Sequence, residues 1–136
     1  MSLRRVAPAL LAALVLTGCG GKSADLFEVQ RSGADRNANV DLVVNDGGTV
    51  SCDHRASKAR PGRQLRAARE LARQLESQAA LSIELPPAEN SVLRYVVRTS
   101  NGRVAFSDTS PNRPPAFDRL AAFSKDVIEG VCGIER

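Results

Sequence analysis

Along this 136-residue chain the spacing of hydrophobic positions changes several times, and each change marks an element. Residues 26–31 and 40–44 are short, β-branched or alternating stretches and predict strands. Asn45-Asp46-Gly47-Gly48 separates the second of these from residues 49–52, which read as a returning strand. Asn, Asp and Gly tolerate the positive φ that tight hairpin turns demand, so this is hairpin chemistry. From Pro61 the spacing lengthens to three and four residues, with Leu65, Ala68, Leu71, Ala72, Leu75 and Ala79 forming one stripe. That stripe predicts a helix, opened by a proline whose fixed φ suits a first turn.

The second half runs in the same order. Residues 81–85 alternate like a half-buried strand and stop at Pro86-Pro87, and residues 92–99, centred on Val96-Val97, form the strongest strand pattern in the chain. Ser100-Asn101-Gly102 predicts a second hairpin, with residues 103–108 returning through Val104 and Phe106. Pro114-Pro115 opens a second helix with the stripe Phe117, Leu120, Ala121, Ser124, Val127, Ile128 and Val131; Gly130 and Gly133 favour its end. At an offset near 52 the two halves superpose: Leu65 falls on Phe117, Leu75 on Val127, Val44 on Val97 and Val50 on Val104. An internally duplicated strand-strand-strand-helix unit and the ordinary alternation of elements in a short α+β domain both account for this. Short connections favour antiparallel pairing, so the expected fold class is α+β: an antiparallel sheet with two helices on one face.

The N-terminal residues stand apart from this pattern. Met1-Ser2-Leu3-Arg4-Arg5 precedes an apolar run over residues 6–16, which ends in Leu16-Thr17-Gly18-Cys19. A basic start, a short apolar stretch and small residues at its end are the parts of a secretory signal, and the run is shorter than the ~20 residues needed to span a bilayer. The arrangement resembles the signal peptide and lipobox of bacterial lipoproteins. The resemblance implies a leader over 1–18, acyl lipid on the Cys19 thiol, a short tether over 19–25 and a single domain over 26–136. It also implies a membrane partner reached through the lipid and a place on the extracytoplasmic face of the cell membrane. Arginine-rich, alanine-rich composition fits an actinobacterial source.

With Cys19 assigned to lipid, Cys52 and Cys132 remain, and one pairing is available to them. An oxidising compartment permits the bond, and closing so long a loop contributes roughly 4 kcal/mol in the chain-entropy account. Charge then needs correcting for the leader. Loss of Arg4 and Arg5 from the 19 basic residues leaves 17 against 15 acidic ones, close to balance. The remaining excess is local, in Arg55, Lys58, Arg60, Arg63, Arg66, Arg69 and Arg73, opposed within that stretch by Glu70. On a helix from Pro61, Arg63, Arg66, Arg69 and Arg73 fall away from the apolar stripe. This is a candidate basic surface for anionic lipid head groups or an acidic envelope protein, or else a solvated face. The compartment disfavours nucleic acid.

Catalytic chemistry is not concentrated anywhere. His54 is the single histidine, and its sequence neighbour Asp53 points away from it on a strand or turn, a poor start for a Ser-His-Asp triad. One histidine and one bridged cysteine pair offer no zinc spacing, and Asp46-Gly47-Gly48 lacks the regular acids of a calcium loop. Neither a metal nor a cofactor is expected. Residues 42–52, 91–95, 106–110 and 131–133 resemble a group of actinobacterial secreted proteins and lipoproteins. The resemblance implies a shared fold and supports the Cys52–Cys132 pairing, and it carries no activity or ligand. The expected function is therefore a lipid-anchored extracytoplasmic binding domain rather than an enzyme. Two alternatives stay open: a proteinase-inhibitor-like module presenting the Pro-rich loop 107–115, and an envelope hydrolase using scattered carboxylates.

Overall fold

The computed structural model describes residues 25–135. Six strands and two helices follow in the order β1 (Asp25–Gly33), β2 (Val40–Asn45), β3 (Thr49–Cys52), β4 (Lys58–Ala59), α1 (Gly62–Ala80), β5 (Leu93–Thr99), β6 (Gly102–Ser107) and α2 (Pro115–Gly130). The strands make one sheet in the order β4-β3-β2-β1-β5-β6, antiparallel throughout. This is an α+β fold.

Side-chain alternation decides which face of the sheet is covered. Phe27 and Val29 of β1, Leu42 and Val44 of β2, Val50 of β3, Val97 of β5, and Val104 and Phe106 of β6 are buried and lie opposite one another in register. The residues between them, such as Glu28, Gln30 and Arg98, point to the open face. Phe106 stacks between Tyr95 and Phe117 with ring centroids 5.0 and 4.6 Å apart, which ties β5, β6 and α2 into one core.

The registers also give the sheet two distinct ends. Asp25 lies opposite Asn45, and Thr99 opposite Gly102, so the start of β1 and both hairpin turns share one end. Helix α1 runs along this hairpin end. Arg69, two turns into the helix, bonds Asp46 of the first hairpin, and the Ala79 carbonyl near its finish lies against Gly102 of the second. Helix α2 returns in the opposite direction, from Phe117 against Phe106 to the bond between Cys132 and Cys52. The connections 34–39, 53–57, 86–92 and 108–114 gather at the far end of the sheet.

Residues 81–85 do not form the strand that their alternation predicts. Ser82 takes a positive φ of 51°, Leu81 stays 74% exposed, and the segment makes one parallel bridge, Glu84 with Ala105, at the β6 edge. Strand β1 lies beside β5, and residues 83–85 run along the outer edge of β6 instead. The two halves therefore share their hairpins, with Val44 opposite Val50 and Val97 opposite Val104, but not their first strands. The short edge strand β4 carries no periodic signal in its two residues.

Candidate functional site

The four arginines of the candidate basic surface are all exposed on α1. Two of them are engaged. Arg69 donates to the Asp46 carboxylate (2.6 Å) and to its carbonyl (3.0 Å), and Arg73 pairs with Glu70. Hydrogen bonds from Arg73 and Gln74, together with the Arg73 charge, hold the Glu70 carboxyl below the ordinary glutamate value. Arg63 and Arg66 have no side-chain partner among the described residues, and the first turn of α1 contains no acidic residue.

Two further cations of the basic stretch leave that surface. Lys58 donates to the Val131 carbonyl (3.1 Å), one of the unsatisfied acceptors at the end of α2. Arg60 is buried, 8% exposed, with its guanidinium 5.8 Å from the Phe123 ring centroid and a 3.3 Å bond to the Asn45 carbonyl. Burial, and then the charge of Arg69, pull its pKa below the usual arginine value. Its Nε and Nη1, and Oε1 of the neighbouring Gln64, have no protein partner.

At the far end, the corner 107–115 is braced. Ser110 Oγ accepts the Ser107 N–H (2.8 Å), and Thr109 Oγ1 both donates to and accepts from the backbone of Ala88 (3.1 Å each). The Asp108 carboxylate accepts from Ser91 Oγ (3.0 Å) and the Val92 N–H. Arg113 Nη1 donates to the carbonyls of Asp108 (2.6 Å) and Ser110 (3.0 Å), while its Nε bonds Asp118 (2.7 Å) in the first turn of α2. Pro111 and Asn112 are left exposed at the tip. Composition marked this stretch as a polar, Pro-rich loop; the clamp depends on where residues 85–92 lie, and composition does not carry that. Asn37, Asp53, His54, Asn90 and Asn112, at this same end, have positive φ. Asn, Asp and His are the non-glycine types that tolerate it best.

The scattered polar residues serve the fold. His54 is exposed, with Nε2 3.8 Å from the Asp41 carboxylate. Asp53 Oδ1 accepts the Asp41 N–H (2.9 Å), and among the described residues no hydrogen bond joins Asp53 or a serine to the imidazole. Glu84 pairs with Arg94 (2.9 Å). A cleft of about 480 Å³ between α2 and β5 contains Arg31, Tyr95, Lys125 and Glu129, but the Arg31 guanidinium is spent on the carbonyls of Ala38 and Asn37 (3.0 and 2.9 Å). Among the described residues no group of three His, Cys, Asp or Glu is placed to hold a metal ion, and no helix is long and apolar enough to cross a membrane.

Cys52 and Cys132 form a disulfide across 80 residues, with Cα atoms 6.3 Å apart. It fixes the end of α2 to the end of β3. Cys19, with the leader and most of the tether, lies outside the described residues. No family model, no curated protein and no solved structure matches the chain.

Proposed function

We propose that the protein is a lipid-anchored extracytoplasmic binding domain, held at the membrane through Cys19 and presenting its far end to a partner in the envelope. The observation that carries this reading is the polarity of the domain. The chain enters at Asp25 on the hairpin end, and four connections meet at the opposite end. One of these, 107–115, is held by side-chain hydrogen bonds rather than left mobile. A preformed surface binds without first ordering its loops, which lowers the entropic cost of association. The carboxylates of Asp46, Asp108, Asp118, Glu70 and Glu84 are each engaged in a structural contact, which weighs against a hydrolase built on them.

The test is site-resolved photo-crosslinking in the native host, with the reactive side chain at Asn37, His54 or Asn112 and, as the comparison, at Asn101 on the hairpin end. The expected result is one discrete protein adduct shared by the far-end positions and absent from Asn101. Adducts of the same pattern from all four positions, or none from the far end, would overturn the assignment. The braced corner also fits a proteinase-inhibitor-like module. Inhibition of a secreted protease by the lipid-free domain, lost on Pro111→Gly and Asn112→Gly substitution, would favour that second reading.

A further inference from the structure

We infer that the hairpin end is a docking surface for anionic phospholipid, with the exposed arginines of α1 against the lipid phosphates. The inference rests on the reading of Cys19 as the lipid-bearing residue. Only six residue steps separate Cys19 from Asp25. At most ~3.6 Å per step, that chain reaches about 20 Å, and as a flexible tether its mean reach is shorter. Strand β1 alone has nine residues, about 30 Å at the rise of an extended strand. The tether is therefore too short to lead from the bilayer around to the far end, and it keeps the hairpin end, where Asp25 lies, within about 20 Å of the head groups.

The direction in which α1 presents its charge is set independently of the tether. At 100° per residue, Arg66, Arg69 and Arg73 share one flank of the helix, while Ala67, Leu71 and Gln74 line the groove toward α2 on the other side. The bond from Arg69 to Asp46 shows that this flank faces the hairpin turns. Arg66 brings to this flank a charge with no partner among the described residues, while Arg63 stands about 120° round the helix from Arg69, on the side of Gln74; Arg98 and Arg103 at the tops of β5 and β6 are also exposed. The acids on the same end are Asp25, Glu28, Asp46, Glu70 and Glu76; of these, Asp46 and Glu70 are already paired with arginines. A guanidinium matches a phosphate with two parallel hydrogen bonds, and a basic residue near an anionic surface changes partitioning about fivefold. Screening confines the effect to groups within about 8 Å of the head groups at physiological salt, which is why the short tether matters.

The experiment couples the lipid-free mature chain through its Cys19 thiol to a maleimide lipid, with the Cys52–Cys132 bond intact. The vesicles are either phosphatidylcholine or an equal mixture of phosphatidylcholine and phosphatidylglycerol. Arginine labelling by phenylglyoxal is then read by mass spectrometry. The expected result is a fall of about fivefold in the labelling of Arg66 on the anionic vesicles alone, with Arg55 at the far end labelled equally on both. Equal labelling of Arg66 on the two vesicles would overturn the inference. So would protection of Arg66 by inorganic phosphate without vesicles, at an ionic strength where chloride gives none, because it would mark a free-anion site instead. Chemical coupling replaces the native lipid, so a negative result condemns the arginine surface and leaves the lipidation of Cys19 to a separate measurement.

Discussion

Arg60 shows how far one residue's environment can depart from its place in a charge run. It belongs to a basic stretch in the sequence, yet its guanidinium is buried beneath the start of α1 with two of its nitrogens unpartnered. Buried donors without acceptors are costly, and replacing a buried charge by an apolar side chain of similar volume is often neutral or stabilising. Arg60→Met is expected to leave the fold intact and to raise the urea midpoint, by about 1 kcal/mol of stability or more. A loss of more than about 2 kcal/mol would show instead that Nε and Nη1 are satisfied in solution. Gly102 is the opposite kind of residue, irreplaceable for lack of a side chain. Its φ is +144°, and a Cβ there would sit 2.5 Å from the Ala79 carbonyl oxygen. Gly102→Ala is therefore expected to destabilise by about 2 kcal/mol or more, seen as a lowered midpoint in thermal unfolding. The Asn101-Gly102 turn could be read from sequence; the helix end pressed against it could not.

At the scale of elements, legibility followed how local the determinants were. Both hairpins and both helices were recognisable, because turn residues and apolar spacing act within a few positions. Residues 81–85 misled because alternation says that a segment has two faces, not that its backbone stays extended: Ser82 turns to a positive φ and the segment meets the β6 edge through a single bridge. Strand β1 fills the place beside β5 through a pairing more than sixty residues distant in sequence, and no local pattern announces that. The bracing of 107–115 was hidden for the same reason, since its partners Leu85, Ala88, Ser91 and Val92 arrive from the preceding connection. The Cys52–Cys132 bond was legible by counting once Cys19 was set aside, and its role now has a structural content: with the Lys58 bond to the Val131 carbonyl, it holds the end of α2 to β3 and β4. Replacing both cysteines by Ser is expected to cost roughly 4 kcal/mol in a urea titration, by removal of a long-loop constraint on the unfolded chain. Hydrogen exchange should loosen first at the end of α2. A uniform loss of protection across the sheet would contradict that local role.

The described domain has one end where β1 begins and both hairpins turn, a far end where four connections gather, and a helix of arginines along the first. That polarity joins features that are unremarkable one at a time: a hairpin beside the first strand, a helix crossing from one hairpin to the other, and connections gathered opposite. Its functional meaning depends on the proposed anchor. Without lipid on Cys19 the nearness of Asp25 to α1 would orient nothing, and the arginines of α1 would be a solvated face. The most direct measurement is the intact mass of the protein taken from membranes of its native host, before and after reduction. The account predicts a chain beginning at Cys19, heavier than its sequence by a lipid-sized increment, which gains two hydrogens on reduction as Cys52 and Cys132 separate. A chain cut elsewhere without lipid, or one unchanged by reduction, would contradict it.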